Sequence, residues 1–231
     1  MAVSPVSTID RAKQKLTDWR TNATLFVREV FNVEPDVWQI ETLEYLSGND
    51  PQPRRRIGMK ACTGPGKSAV LAWAGWHRLV CFTEKGEHPK GIALSGEGRD
   101  NLRDNLWAEL AKWQQRSPML MHMFTWNKEQ IYSNEHPQTW FLSARSYAKD
   151  ADTEAVGRSL SGLHSKFPFI LLDEIGDMPT AVIQKAEQIF TGGQADALIM
   201  GAGNPTSTTG LLYHVCTSAR ENWNIITITA D

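Results

Sequence analysis

Residues 61–68 read Ala61-Cys62-Thr63-Gly64-Pro65-Gly66-Lys67-Ser68, the spacing of a phosphate-binding loop G-x-x-x-x-G-K-[ST] with Ala61 in place of the first glycine. Each part of the octet suits phosphate chemistry. Gly64 and Gly66 permit the tight turn that points successive N–H groups at phosphate oxygens. Lys67 brings a compact positive charge to the β- and γ-phosphates. Ser68 offers a hydroxyl to Mg²⁺ and opens a helix whose N-terminus favours an anion.

A second cluster lies about a hundred residues on. The apolar run 169–172 leads straight into Asp173 and Glu174, as a buried strand ending in two acids would. The first carboxylate is placed to hold Mg²⁺, and the second to orient and polarise an attacking water. That second acid favours hydrolysis of the nucleotide over transfer to a bound hydroxyl, so the residues point to an ATPase. A third cluster, Gly203-Asn204-Pro205-Thr206, follows the next apolar run. Asn204 there is a candidate sensor of the γ-phosphate; an ordinary Gly-Asn-Pro turn uses the same residue types.

These clusters need a scaffold of strands running into loops and helices. Arg56 to Lys60 is a plausible strand before the octet, and the alanine-rich run from Ala69 to Phe82 reads as a helix buried against a sheet. Upstream, residues 8–31 and 36–46 pattern as helices, followed by a Pro- and Gly-bearing loop over 47–53. Downstream we expect a strand over 91–95 and a helix over 99–116 with Leu102, Leu106, Leu110 and Trp113 on one stripe. A hairpin should pair 130–132 with 139–142, and further strands should cover 169–172, 197–200 and 224–231. Alternating strands and helices predict an α/β, three-layer domain with a mostly parallel sheet, and with the octet and the acid pair it resembles a P-loop NTPase of ASCE/RecA-like type. We divide the chain into a helical lead-in, 1–50, and a catalytic core, 51–231.

Composition sets further bounds. The 231 residues carry a formal charge of −2, so a nucleic-acid surface would have to be a local patch. Three cysteines, Cys62, Cys81 and Cys216, show no CxxC spacing and read as reduced thiols of a cytosolic protein. No apolar run approaches 18 residues, so no membrane partner is expected. Arg54-Arg55-Arg56 and Lys13, Lys15 and Arg20 are candidate DNA contacts, against the plainer reading of solvated surface charge.

Taken together, the chain resembles the ATPase domain of the large terminase subunit, the DNA-packaging motor of tailed bacteriophages. The resemblance rests on Asp36-Val37-Trp38-Gln39, the octet 61–68, Arg103-Asp104-Asn105-Leu106-Trp107 and Gly157 to His164. It continues through Leu172-Asp173-Glu174 and the Gly203-Asn204-Pro205-Thr206 block, followed by Tyr213 and Trp223. It implies ATP and Mg²⁺ as cofactors, with Ser68 and Asp173 at the metal and Glu174 and Lys67 catalytic. It also implies Gln39 beside the adenine and a basic residue, Lys60, before the loop. An arginine acting on a neighbouring subunit is implied too, with Arg158 the first candidate and Arg145 the second.

The implied partners are double-stranded DNA, further copies in a ring, the portal protein and the small terminase subunit, in the cytoplasm of an infected bacterial host. Large terminases usually add a nuclease domain; this sequence stops before one, so no nuclease activity is expected of it. Two other function classes remain: a helicase-like nucleic-acid-stimulated ATPase, and a nucleotide-gated scaffold without turnover.

Overall fold

The apolar run 169–172 divides its side chains between two cores. Phe169 and Leu171 enter one cluster with the N-terminal helices, while Ile170 and Leu172 enter a second with the C-terminal helices. A strand covered on both faces must be apolar throughout, which is why this one shows no alternation. The computed structural model describes residues 7–47, 55–62, 64–147, 153–190 and 196–229.

In chain order, the first helices are α1 (Thr8–Thr21), α2 (Ala23–Phe31) and α3 (Val37–Leu46), followed by strand β1 (Arg56–Ala61) and helix α4 (Lys67–Cys81). Strand β2 (Lys90–Ser95) precedes α5 (Arg99–Leu102), a π-helical stretch Arg103–Trp107, α6 (Ala108–Gln115) and α7 (Pro118–Met123). Three short strands follow, β3 (Phe124–Trp126), β4 (Gln130–Ser133) and β5 (Phe141–Ala144), and then helix α8 (Thr153–Ser159). The rest is β6 (Pro168–Asp173), α9 (Ala181–Phe190), β7 (Leu198–Gly203), α10 (Leu211–Cys216) and β8 (Asn224–Ile228).

Among the described residues the strands form one sheet in the order β3-β4-β5-β2-β6-β7-β1-β8. Pairings from β5 through β8 are parallel, and β3-β4 and β4-β5 are antiparallel. This is the mostly parallel α/β sheet that the sequence predicts. The hairpin forms as expected, with Tyr132 opposite Phe141. Trp140 stands outside it and donates its indole N–H to Leu79 O at 2.8 Å.

Three local departures have physical causes. The helix expected over 8–31 breaks at Asn22, whose extended backbone ends α1 and whose Oδ1 accepts from Leu25 N–H at 2.8 Å to start α2. The helix expected over 99–116 passes through the π-helical stretch, which turns Leu106 and Trp107 inward together. Strand β3 has no counterpart in the sequence pattern; it is only three residues long, too short for a periodic signal.

The N-terminal helices share the main core. Phe26, Val27 and Phe31 of α2 and Leu43 and Leu46 of α3 are buried in the same cluster as Val70, Leu71, Trp73 and Trp76 of α4. Their packing holds the start of α3 against the turn that opens α4.

Candidate functional site

The order β1-β7-β6 sets three strand ends side by side at the C-terminal edge of the sheet. From β1 comes the octet, from β7 Asn204, and from β6 the acid pair, although nearly 140 residues separate the outermost of them in sequence. Ligand sites of parallel sheets form at this edge.

Within the octet, Gly64 and Gly66 have φ of 95° and 91°, in the left-handed region where a side chain is strained. Gly66 caps α4, its carbonyl accepting from Ala69 N–H (3.1 Å) and Val70 N–H (3.3 Å). Thr63 lies outside the described residues. Lys67 is only 7% exposed. Its Nζ donates to Cys62 O at 2.6 Å, to Ala61 O at 3.4 Å and to Asn204 Oδ1 at 2.7 Å. Burial lowers its pKa, opposed chiefly by the negative charge of Glu174.

Asp173 is 2% exposed. Its Oδ1 accepts from Glu174 N–H at 3.1 Å, while Oδ2 is buried with no hydrogen-bond partner among the described residues. Burial first, and the Glu174 charge second, push its carboxyl up to about 7. Glu174 is raised by burial as well, with Lys67 pulling the other way. Its backbone has φ 49°, unusual for a residue with a side chain and typical of strained functional positions. The strain is held from behind by Gly96, whose N–H donates to Asp173 O at 2.9 Å. A Cβ on Gly96 would stand 2.1 Å from Glu174 O, so nothing larger fits.

This chemistry fits a divalent cation. Asp173 Oδ2 is a buried oxygen lacking a partner, in a carboxyl whose charge is under-compensated, and Ser68 lines a cleft together with Glu174, the next residue in the chain. Among the described residues no group of three or more His, Cys, Asp or Glu could hold a metal alone. That suits Mg²⁺, which takes one or two protein oxygens and completes its shell with phosphate and water.

A cleft of about 600 Å³ joins these groups, bringing residues 64–68, Glu174, Asn204 and Gln39 to one place. Gln39 is 7% exposed and sits at the third position of α3. Its Oε1 accepts from Asp36 N–H at 2.8 Å in a capping box, and its Nε2 lies against Gly66. Sequence reasoning missed the far wall of the cleft: Trp73 from α4, Asn105 from the π-helical stretch, and Glu109, Lys112 and Trp113 from α6. Asn105 belongs to the 103–107 block quoted above, though with no site role assigned; only the packing of α6 on α4 brings Glu109, Lys112 and Trp113 close, and no motif marks those three. The capping box, by contrast, has a local signal, an Asp with Gln three residues on.

Two arginines and the basic candidates sit elsewhere. Arg158 does not line the cleft; it is exposed on α8, paired with Glu154 at 3.1 Å. Arg145 donates to Ser159 O at 3.0 Å and Ser161 O at 2.7 Å, holding the turn that follows α8. Lys60 is half-buried on β1. Lys15 pairs with Glu29, Arg20 with Asp196 and Glu84, Arg55 with Asp196, and Arg56 with Glu187; Arg54 lies outside the described residues. Among the described residues, no helix is long and apolar enough to cross a membrane.

No protein-family model and no curated protein matches the sequence. Solved structures do. The HK97 bacteriophage large terminase superposes with a TM-score of 0.57 at 13% identity, over 90% of this chain and 43% of that one. The large terminase of a thermophilic bacteriophage, in complex with ADP, gives 0.57 at 15%, over 84% and 45%. A large terminase ATPase domain from a Thermus phage gives 0.58 at 10%, over 87% and 84%. At these identities the likeness is one of fold. The chain spans less than half the length of the first two of these proteins.

Proposed function

We propose that this chain is a Mg²⁺-dependent ATPase that acts as the motor domain of a large terminase, driving double-stranded viral DNA into a procapsid. The observation that carries the chemistry is the Lys67–Asn204 contact of 2.7 Å, made in the same cleft as Glu174. It ties the phosphate loop to the strand end beside the acid pair. Shared fold with phage large terminases, one of them described in complex with ADP, supports the motor reading.

In this reading the N–H groups of residues 64–68 and the Lys67 ammonium bind the phosphates. Bound Mg²⁺, held by Ser68 and Asp173, supplies electrostatic stabilisation of charge on the phosphate oxygens. Glu174 orients water for in-line attack, its strained backbone fixing the carboxylate toward the cleft. Lys67 exchanges its loop carbonyls for phosphate oxygens when ATP enters, and returns when the γ-phosphate leaves. Asn204, bonded to Lys67, passes that exchange to β7 and the segment beyond it. Arg158, exposed and away from its own cleft, is free to reach the site of a neighbouring copy in a ring. DNA, portal protein and small terminase subunit are the partners this function requires, in the cytoplasm of the infected host.

The test is Glu174→Gln. It should keep ATP binding and lower turnover by about 10²–10⁴-fold. Turnover equal to that of the unaltered chain would remove Glu174 from catalysis. Lys67→Ala should weaken ATP binding itself by at least about tenfold, as expected for loss of a charge-assisted contact.

A further inference from the structure

The amide of Gln39 cannot rotate freely to suit a base. Asp36 N–H is a donor without ambiguity, so the atom facing it at 2.8 Å must be the carbonyl oxygen. The amide nitrogen is thereby turned toward Gly66 and the cleft, and it donates no hydrogen bond among the described residues. A glutamine that reads adenine selectively accepts from its 6-amino group and donates to N7. Here the acceptor is turned to the helix cap, and the end of Gln39 that lies by Gly66 is the donor.

The carboxylates lining that side already accept from neighbours, Asp36 from the backbone N–H of Gln39 in the capping box among them. Glu109 Oε1 accepts from Trp113 Nε1 at 2.8 Å and Lys112 Nζ at 2.9 Å, and Glu34 accepts from Arg28 Nε at 2.8 Å. Asn105 is exposed, and its amide can present either end. A donor at Gln39 meets N7 of either purine, and it also meets the 6-oxo oxygen of guanine. Selectivity of the kind that rejects a near-isostere needs a buried group left unpaired by the wrong base.

We propose that Gln39, locked by the capping box, makes the base pocket a purine-tolerant site that takes GTP about as well as ATP. This rests on the nucleotide-site reading above. The experiment measures binding of the slowly hydrolysed analogues ATPγS and GTPγS with Mg²⁺ by calorimetry, for the unaltered chain and for Gln39→Glu. Glutamate keeps the cap, since one carboxylate oxygen still accepts from Asp36 N–H, but it turns the other oxygen, an acceptor, toward the base.

The expected result is a GTPγS-to-ATPγS affinity ratio within about tenfold in the unaltered chain, falling at least about tenfold further in Gln39→Glu. A purely structural role would move both affinities together, and an unchanged ratio in Gln39→Glu overturns the inference. So does ATPγS binding accompanied by GTPγS more than about tenfold weaker in the unaltered chain, which leaves the ATPase reading intact. Binding of neither analogue would instead overturn the nucleotide site itself, and this inference with it.

Discussion

Helix α4 carries a buried cation at each end, and the two are treated in opposite ways. At its start, Lys67 faces two carboxyls whose pKa values are raised and one carboxylate oxygen without a partner. Near its end, Arg78 is fully buried, with its Nε and one Nη lacking a hydrogen-bond partner among the described residues. Its guanidinium donates to Asp196 O at 2.7 Å and lies 3.9 Å from the Phe82 ring centre. Arg20 and Arg55 also stand over that ring, and both pair with the Asp196 carboxylate, which they hold below its ordinary pKa. Both ends keep unpartnered polar atoms, but one opens on a cleft and the other packs on an aromatic ring inside the fold. Burial of charge is therefore no sign of function here. What distinguishes the two is whether the buried charge lines a cleft that a ligand can enter.

This contrast can be broken in four ways, from the largest effect to the smallest. Glu174→Gln should cost orders of magnitude in turnover while leaving the unfolding midpoint within experimental error. A large drop in stability would mean that the upper end is structural too. Arg78→Ala should do the reverse, losing about 3–5 kcal/mol in chemical denaturation because it strips a buried charge cluster of one member. In the same assay Lys67→Met should be neutral or stabilising without nucleotide.

Third comes pH. Asp173 titrates near 7 in the fold and near its ordinary 3.8 when unfolded. The native state thus retains a proton that the unfolded chain releases, and stability should fall as pH rises from about 4 to 7 and then level off. Asp173→Asn should flatten that slope. It should be equal to the unaltered chain at pH 4 and more stable by an amount on the order of 2–4 kcal/mol at pH 8 without Mg²⁺. An unchanged slope would assign it to other groups. Last, Arg158→Ala should leave the unfolding midpoint alone, since its one ion pair is exposed. It should lower ATP turnover only at protein concentrations where turnover per chain rises with concentration.

The two ends also differ in how far the sequence reveals them. The upper end is legible because its parts are local. A glycine-rich octet and a continuous apolar run ending in acids each occupy a few consecutive residues, and backbone physics confines each to one place in a parallel sheet. The lower end is not. Arg20 and Arg55 read as solvated or DNA-facing charge, yet Arg55 and Asp196 meet across 141 positions of chain. Nothing in the spacing of either residue announces that. The base-side wall is hidden for the same reason, since Glu109, Lys112 and Trp113 reach the cleft through packing of α6 on α4. Arg145 shows a third case. Its type suits a transition-state role, but its donors go to backbone carbonyls of its own chain, which a one-dimensional reading cannot weigh.

The place of β1 in the sheet has a consequence for assembly. Its neighbours on both sides, β7 and β8, are made from residues 198–203 and 224–228, so its edges stay bare until those residues have been made. Such distant pairings are slow to close because chain entropy must be overcome before any contact rewards it. On the ribosome, the phosphate loop is thus the first of the three site segments to emerge and the last to be fastened. A nascent chain should remain blind to nucleotide until its final described strands have cleared the exit tunnel.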